Sequence, residues 1–342
     1  MKSHYFVMLL LFLAFSKAQG SEVPLPLTTS FDSLGPTVHQ LKSKDGRLIH
    51  YIDDGKESAI PVVFTGGSGT SVRAIRLLDF LRTMRQSLNL RFITVERNGF
   101  GQTAFNPMLG MADYVKDVEQ VLAHLNIDKF SLFGVSGGGA YTAKIAEKNY
   151  LRLLSIHMAA TSPLMGQAAW CAQNKGQHPY RDLLTYPMQF FGFPAASGVH
   201  QIIGFQDTAF DEAARAHNIR GQSADPAPLD HEIALYCKEN PINTANINAK
   251  VFVYRGLADS LLNMESNDIW STTYPNAEII LRQYPGEGHD VQYRHLDQIL
   301  LDIAYLNTDI LVCQNGSQKF IKSSKMNSEL SKNEHLGLCV WQ

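Results

Sequence analysis

Between residues 37 and 161 the chain alternates two patterns, short hydrophobic runs and longer stretches with apolar residues at helical spacing. "TVHQLKSKDGRLIHYIDDG" predicts two strands joined at Lys44-Asp45-Gly46, because Asp-Gly is a hairpin signal. "IPVVFTGGSGTS" predicts a short buried strand running into a glycine-rich loop. "VRAIRLLDFLRTMRQ" carries its apolar residues at helical spacing. "RFITVERNGFGQT" predicts a strand and a glycine-containing turn. In "MADYVKDVEQVLAHLN", Met111, Val115, Val118, Val121, Leu122 and Leu125 share one face of an amphipathic helix. "KFSLFGVS" predicts a strand, "GGAYTAKIAEKN" a helix and "LRLLSIHMAA" another strand.

The rhythm breaks over 162–248, a stretch rich in Gln, Ala, Pro and aromatics, with "YPMQFFGFP" near its middle. It resumes with "AKVFVYRGLADS" (strand and loop), "LLNMESNDIWSTTYP" (helix), "AEIILRQYPGEGHD" (strand and loop) and "VQYRHLDQILLDIAYL" (helix). Such alternation predicts an α/β domain with a mostly parallel central sheet and helices on both faces. The core then comprises 21–161 and 249–307, interrupted by an insertion over 162–248 and followed by an extension over 308–342. In the extension, "ILVCQNGSQKFI" predicts a hairpin turning at Asn315-Gly316, and "LGLCVWQ" a third segment returning to it.

The densest chemistry lies in "FGVSGGGAYT", which places Ser136 among Gly134, Gly137, Gly138 and Gly139. Gly-x-Ser-x-Gly between a buried strand and a helix is the pattern of a nucleophile on a sharp turn. The serine is held in strained geometry, and small neighbours let the turn close. A phosphate loop of the GxxxxGK[ST] type needs a lysine, which is missing, and GxGxxG is not met. Gly137 N–H, at the helix N-terminus, faces developing negative charge.

A serine hydroxyl needs a base, and the base an orienting acid, in the chain order Ser, Asp or Glu, His. Asp259 follows the strand "VFVYRG", and His289 lies in the loop "PGEGHD" after the next strand. Both fall at strand carboxyl ends, where open α/β sheets place their sites. Glu287 and Asp290 flank His289, but near neighbours in the chain rarely aim their side chains at each other, so Asp259 ranks above them. The loop Thr65-Gly66-Gly67-Ser68-Gly69 offers Gly67 N–H as a second oxyanion donor.

These pieces together resemble the α/β-hydrolase superfamily over most of 37–307. "TGGSG" stands where the family has His-Gly-x-Pro-Gly, "ERNGFGQT" where it has Asp-Arg-x-Gly-x-Gly-x-Ser, "GVSGGG" at the nucleophile elbow, and "GLAD" and "GEGH" at acid and base. Thr65, Ser68, Glu96 and Thr103 depart from that pattern. The resemblance implies that 162–248 is a cap over the site, and that a Ser136–His289–Asp259 triad cleaves an ester or related acyl bond without metal or cofactor. The serine separates the chain from the epoxide and haloalkane branches, which use an aspartate nucleophile. Tyr186, Phe190, Phe191 and Phe193 wall a substrate pocket or form the cap's own core. An aminopeptidase of the proline-iminopeptidase type is the alternative, and it needs an acid for the free amine of a short peptide, with Asp211, Glu212 and Glu232 available. A non-catalytic binding protein on this fold is the rival from another class, though such proteins usually lack a triad residue.

Charge and cysteines change the setting more than the chemistry. Charged residues make up 18%, the formal net charge is −2, and no long basic run invites nucleic acid. Lys2, the ten apolar residues Phe6–Phe15, and Ala18 and Gly20 predict a signal peptide cleaved after Gly20, and so a secreted or periplasmic protein. A run of ten is short of the roughly 20 residues that span a bilayer. An oxidising compartment favours disulfides among Cys171, Cys237, Cys313 and Cys339. Three pairings exist, and proximity favours Cys171–Cys237 and Cys313–Cys339; free buried thiols are the alternative. Asn315-Gly316-Ser317 is a glycosylation sequon in a eukaryotic secretory path.

Overall fold

The computed structural model describes residues 35–166, 171–172, 226–239, 242–259, 262, 268–323 and 334–339. The expected signal peptide, Asp211, Glu212 and the four aromatics of 186–193 lie outside the described residues.

Eight strands form one sheet: β1 (Val38–Lys42), β2 (Leu48–Asp54), β3 (Ile60–Thr65), β4 (Leu90–Val95), β5 (Phe130–Val135), β6 (Leu153–Ala159), β7 (Lys250–Gly256) and β8 (Ile279–Tyr284). Their order is β1-β2-β4-β3-β5-β6-β7-β8. The pairs from β4 through β8 are parallel, and the β1–β2 hairpin lies antiparallel along β4. Gly46, at φ +90°, closes that hairpin where Asp-Gly predicts it. β4 and β5 are buried at every residue, as strands covered on both faces must be.

Crossover helices supply the cover. On one face lie a 3₁₀ helix (Val72–Leu81), α1 (Arg82–Ser87), α6 (Val291–Arg294) and α7 (Leu296–Tyr305), packed on Phe64, Phe92, Phe133 and Phe252. On the other lie α2 (Met111–His124), α3 (Gly138–Asn149), α4 (Ala227–Lys238) and α5 (Ile269–Thr273), packed on Val63, Ile93, Leu132 and Val251. Two predicted helices differ in detail. The stretch from Val72 begins as ten 3₁₀ residues, nine of them buried, before turning α-helical. The final helix breaks at His295, whose ring stacks on Tyr284 and bonds Glu287 instead of continuing the helix in line.

Within the sheet a buried polar chain links neighbouring strands. Ser131 meets Ser155 at 2.8 Å, Ser155 meets His157 Nε2 at 2.8 Å, and His157 Nδ1 meets the Tyr254 hydroxyl at 2.9 Å. Tyr254 then donates to Asp302, which Arg282 grips with Nε and Nη2 at 3.1 and 2.8 Å. Burial holds His157 neutral, with its pKa lowered to about 3.

The extension forms its own sheet from β9 (Asp309–Gln314), β10 (Ser317–Lys322) and β11 (Glu334–Leu336), in the order β10-β9-β11. Asn315 and Gly316 turn the hairpin with φ of +50° and +77°. Gln298 Oε1 and an Asp297 oxygen, both on α7, accept the Leu311 and Leu338 N–H groups at 2.8 and 2.9 Å and fasten the extension to the core. Both favoured disulfides are present, Cys313–Cys339 inside the extension and Cys171–Cys237 between the segment after β6 and α4. Among the described residues no helix is long and apolar enough to cross a membrane.

Removing one member of a buried ion pair leaves the other charge stranded, at a cost of about 3–5 kcal/mol. Asp302→Ala, which orphans Arg282, is expected to lower unfolding stability by that amount in urea titrations monitored by circular dichroism.

Candidate active site

β5 delivers Ser136 to the top of the sheet, and α3 starts two residues later. Ser136 sits at φ +50°, a left-handed conformation disfavoured for a residue with a side chain. Backbone bonds fix it on both sides: Ser136 N–H donates to Ala159 O at 3.0 Å, and Ser136 O accepts from Gly139 N–H at 2.9 Å.

The surrounding glycines have separate reasons. A Cβ on Gly138 would lie 2.3 Å from the carbonyl oxygens of both Thr65 and Gly66, so Gly138 makes room for the loop after β3. A Cβ on Gly134 would meet Thr142 Oγ1 at 2.3 Å and Gly139 Cα at 3.3 Å. At Gly137 it would meet Ser68 Oγ at 1.8 Å and the Tyr236 hydroxyl at 2.6 Å, and at Gly139 it would meet Thr161 Oγ1 at 2.0 Å.

The three predicted polar residues come together across 153 positions of sequence. His289 Nε2 lies 2.9 Å from Ser136 Oγ, and His289 Nδ1 lies 2.8 Å from Asp259 Oδ2. Asp259 is buried. The acids flanking His289 are engaged elsewhere, as Glu287 bonds His295 with both oxygens and Asp290 pairs with Arg294. β7 and β8 place the two loops side by side: Leu257 N–H donates to Tyr284 O and Ala258 N–H to Glu287 O, at 3.0 and 2.8 Å.

The loop after β3 brings Gly67 against the serine. A Cβ there would lie 3.5 Å from Ser136 Cβ and 4.0 Å from its Oγ. Thr65, standing where the family pattern has histidine, donates to Gly138 O at 3.0 Å and contacts the Thr142 hydroxyl, so it ties this loop to α3.

No protein-family model matches the chain. Solved structures do. An epoxide hydrolase A from Mycobacterium thermoresistibile superposes with a TM-score of 0.58 at 14% identity, covering 79% of this chain and 97% of that one. An alpha/beta hydrolase fold protein from Nakamurella multipartita gives 0.57 at 15%, covering 79% and 98%. The chain has the α/β-hydrolase fold. An esterase from Rhodococcus sp. ECU1013 superposes at 0.55 and 15% identity, covering 79% and 99%.

Within this α/β-hydrolase fold the departures from the common pattern find their partners. Glu96, in place of aspartate, is buried and accepts the Val72 N–H at 2.9 Å, and a Cβ on Gly101 would collide with its Oε2. Arg97, next to it, carries no signal in the sequence of what it holds. Its guanidinium donates to Gly66 O at 3.0 Å, Gly67 O at 2.5 Å and Thr70 O at 3.0 Å. Glu232 is one of the acids that the sequence offers to a substrate amine. Instead it lies buried beside Arg97, 3.1 Å from Nε, and accepts the Gly69 N–H at 2.7 Å. Burial is the leading influence on Glu232 and raises its pKa, against the lowering pull of Arg97. Among the described residues no group of His, Cys, Asp and Glu could hold a metal ion.

Burial also raises the Glu96 pKa to about 7. A carboxyl whose pKa is higher folded than unfolded stabilises the fold below its unfolded value and loses that contribution as pH rises through the folded one. Asp79 and Asp297, each raised to about 6 by burial, act in the same direction. Glu96→Gln is expected to reduce the fall in Tm between pH 5 and pH 8 relative to wild type, as read by scanning calorimetry.

Proposed function

We propose that this protein is an exported serine hydrolase that cleaves a carboxylic ester through an acyl-enzyme. The observation that carries the proposal is the continuous Ser136–His289–Asp259 hydrogen-bond chain at the mouth of a strained strand-to-helix turn.

In this reading Ser136 Oγ attacks the acyl carbonyl carbon while His289 Nε2 takes its proton. Asp259 accepts from Nδ1–H, which leaves Nε2 unprotonated to act as base and then steadies the imidazolium. The carbonyl oxygen becomes negative and is received by the N–H groups of Gly67 and Gly137. Collapse breaks the bond to the alcohol, whose oxygen takes the proton from His289. Water then repeats the sequence on the acyl-enzyme, delivering its proton to His289 and releasing the acid and free Ser136.

The peptidase reading loses one of its three candidate acids to the fold, which leaves it Asp211 and Glu212. A free α-amine needs an unengaged acid, and Glu232 is engaged with Arg97 and Gly69. The expected leader and the disulfides support export together.

Purified mature protein should be labelled by a fluorophosphonate probe and should hydrolyse p-nitrophenyl esters. Ser136→Ala should lose both by at least about a thousandfold while keeping its circular dichroism spectrum. Hydrolysis of aminoacyl β-naphthylamides in place of esters would favour the peptidase, and a folded wild type without labelling or turnover would favour the binding protein.

A further inference from the structure

The oxyanion side of the site is built by the segment outside the common core as much as by the core itself. Glu232 and Tyr236 stand four residues apart on α4, hence on one face of that helix. Both reach the 65–70 loop. Glu232 accepts the Gly69 N–H at 2.7 Å, and the Tyr236 hydroxyl meets Ser68 Oγ at 2.8 Å. Between them lies Arg97, which pairs with Glu232 and is stacked near the rings of Tyr141 and Phe100 at 5.2 and 5.6 Å. Pro228, at the start of the same helix, fills the space over Gly99, where a Cβ would lie 2.7 Å from it. The last turn is bound by Cys237 to Cys171.

The decisive detail is which atoms Arg97 holds. One guanidinium nitrogen donates to Gly66 O, the carbonyl of the peptide whose N–H belongs to Gly67. In a planar trans peptide the C=O and N–H point in opposite directions. Gripping Gly66 O therefore turns the Gly67 N–H away from Arg97. The second nitrogen takes Gly67 O, so the peptides on both sides of Gly67 are fixed. A flip of the 66–67 peptide would present a carbonyl oxygen where the developing negative charge needs a donor, and would take one acceptor from a buried guanidinium.

We propose that Arg97 and Glu232 form a latch through which α4 sets the oxyanion hole. Arg97 aims the Gly67 N–H, and Glu232 holds Arg97 and the loop at Gly69. They are positioning residues, not groups that touch substrate. This inference rests on the hydrolase reading for its kinetic consequence, but the latch itself is a statement about the loop. It makes α4 a working part of the site, beyond any role in covering it.

The test uses the full mature protein and two variants. Arg97→Lys keeps the charge but loses the planar fork that serves two carbonyls at once. Glu232→Gln keeps an acceptor for Gly69 but loses the charge facing Arg97. Concentrations are set by the endpoint of fluorophosphonate labelling, so that only folded active sites are counted. Loss of one oxyanion donor lowers kcat by about 10²–10³. Arg97→Lys should therefore lower kcat by about tenfold to a hundredfold, with KM within about twofold, and Glu232→Gln should lower it by about tenfold. A boronic acid that forms a tetrahedral adduct on Ser136 should weaken by factors parallel to kcat, which a simple loss of folded protein would not produce. The double variant should lose much less than the product of the two single losses, because both act through one element. Hydrogen exchange of the 65–70 backbone should rise in both variants, and this reads the latch even in a protein that turns nothing over.

Wild-type kcat and boronate affinity in both variants would overturn the proposal. So would independent, multiplicative losses, or unchanged exchange of 65–70. If Arg97→Lys does not fold, Glu232→Gln carries the same readouts. A wild type that neither labels nor hydrolyses esters would overturn the hydrolase reading instead, while the exchange result would still decide the latch.

Discussion

A serine with φ near +50° persists only where its surroundings leave it no alternative. Here the constraint is steric closure at the elbow. The Thr65 and Gly66 carbonyls pass so close to Gly138 that any side chain there would collide with backbone. Thr65 and Thr142 lock the β3 loop to α3, and Ala159 takes the serine's own N–H. The proposed chemistry is downstream of that closure, because it brings Gly67 and Gly137 beside Ser136.

The sheet and the site were legible in the sequence for different reasons. Strands buried on both faces write themselves as apolar runs, as β4 and β5 do, and β3 to β8 fall within a few residues of the predicted strands. Ser136, Asp259 and His289 were found by chain order and strand ends, which topology enforces whatever the intervening sequence. The same logic names Gly137 and Gly67, and Gly67 lies against Ser136. Asn-Gly and Asp-Gly turns located both hairpins, since Gly46, Asn315 and Gly316 take the positive φ that such turns need.

What escaped was contact between distant side chains. Nothing in "VERNG" and "LDHEIALYC" says that Arg97 and Glu232 meet, because a pairing so distant in the chain has no local signature. The sequence shows that the turn around Ser136 needs small residues, but not that the partner of Gly138 is the loop 65–66, which approaches only in three dimensions. The break at His295 is a tertiary preference too: its bonds to Glu287 and its stacking on Tyr284 outweigh the helical periodicity on either side. That contact also braces the loop bearing His289, so His289 and the loop at Gly67 are each held by residues outside the Ser136–His289–Asp259 chain.

The central claim is that Ser136 carries the acyl group between two half-reactions. Rapid quenching during turnover of a slowly deacylating ester, followed by intact-mass and peptide analysis, tests it most directly. The account predicts a mass increase equal to one acyl group, mapped to the peptide containing Ser136 and absent from Ser136→Ala. Ester turnover with no adduct, or an adduct on another residue, would contradict it.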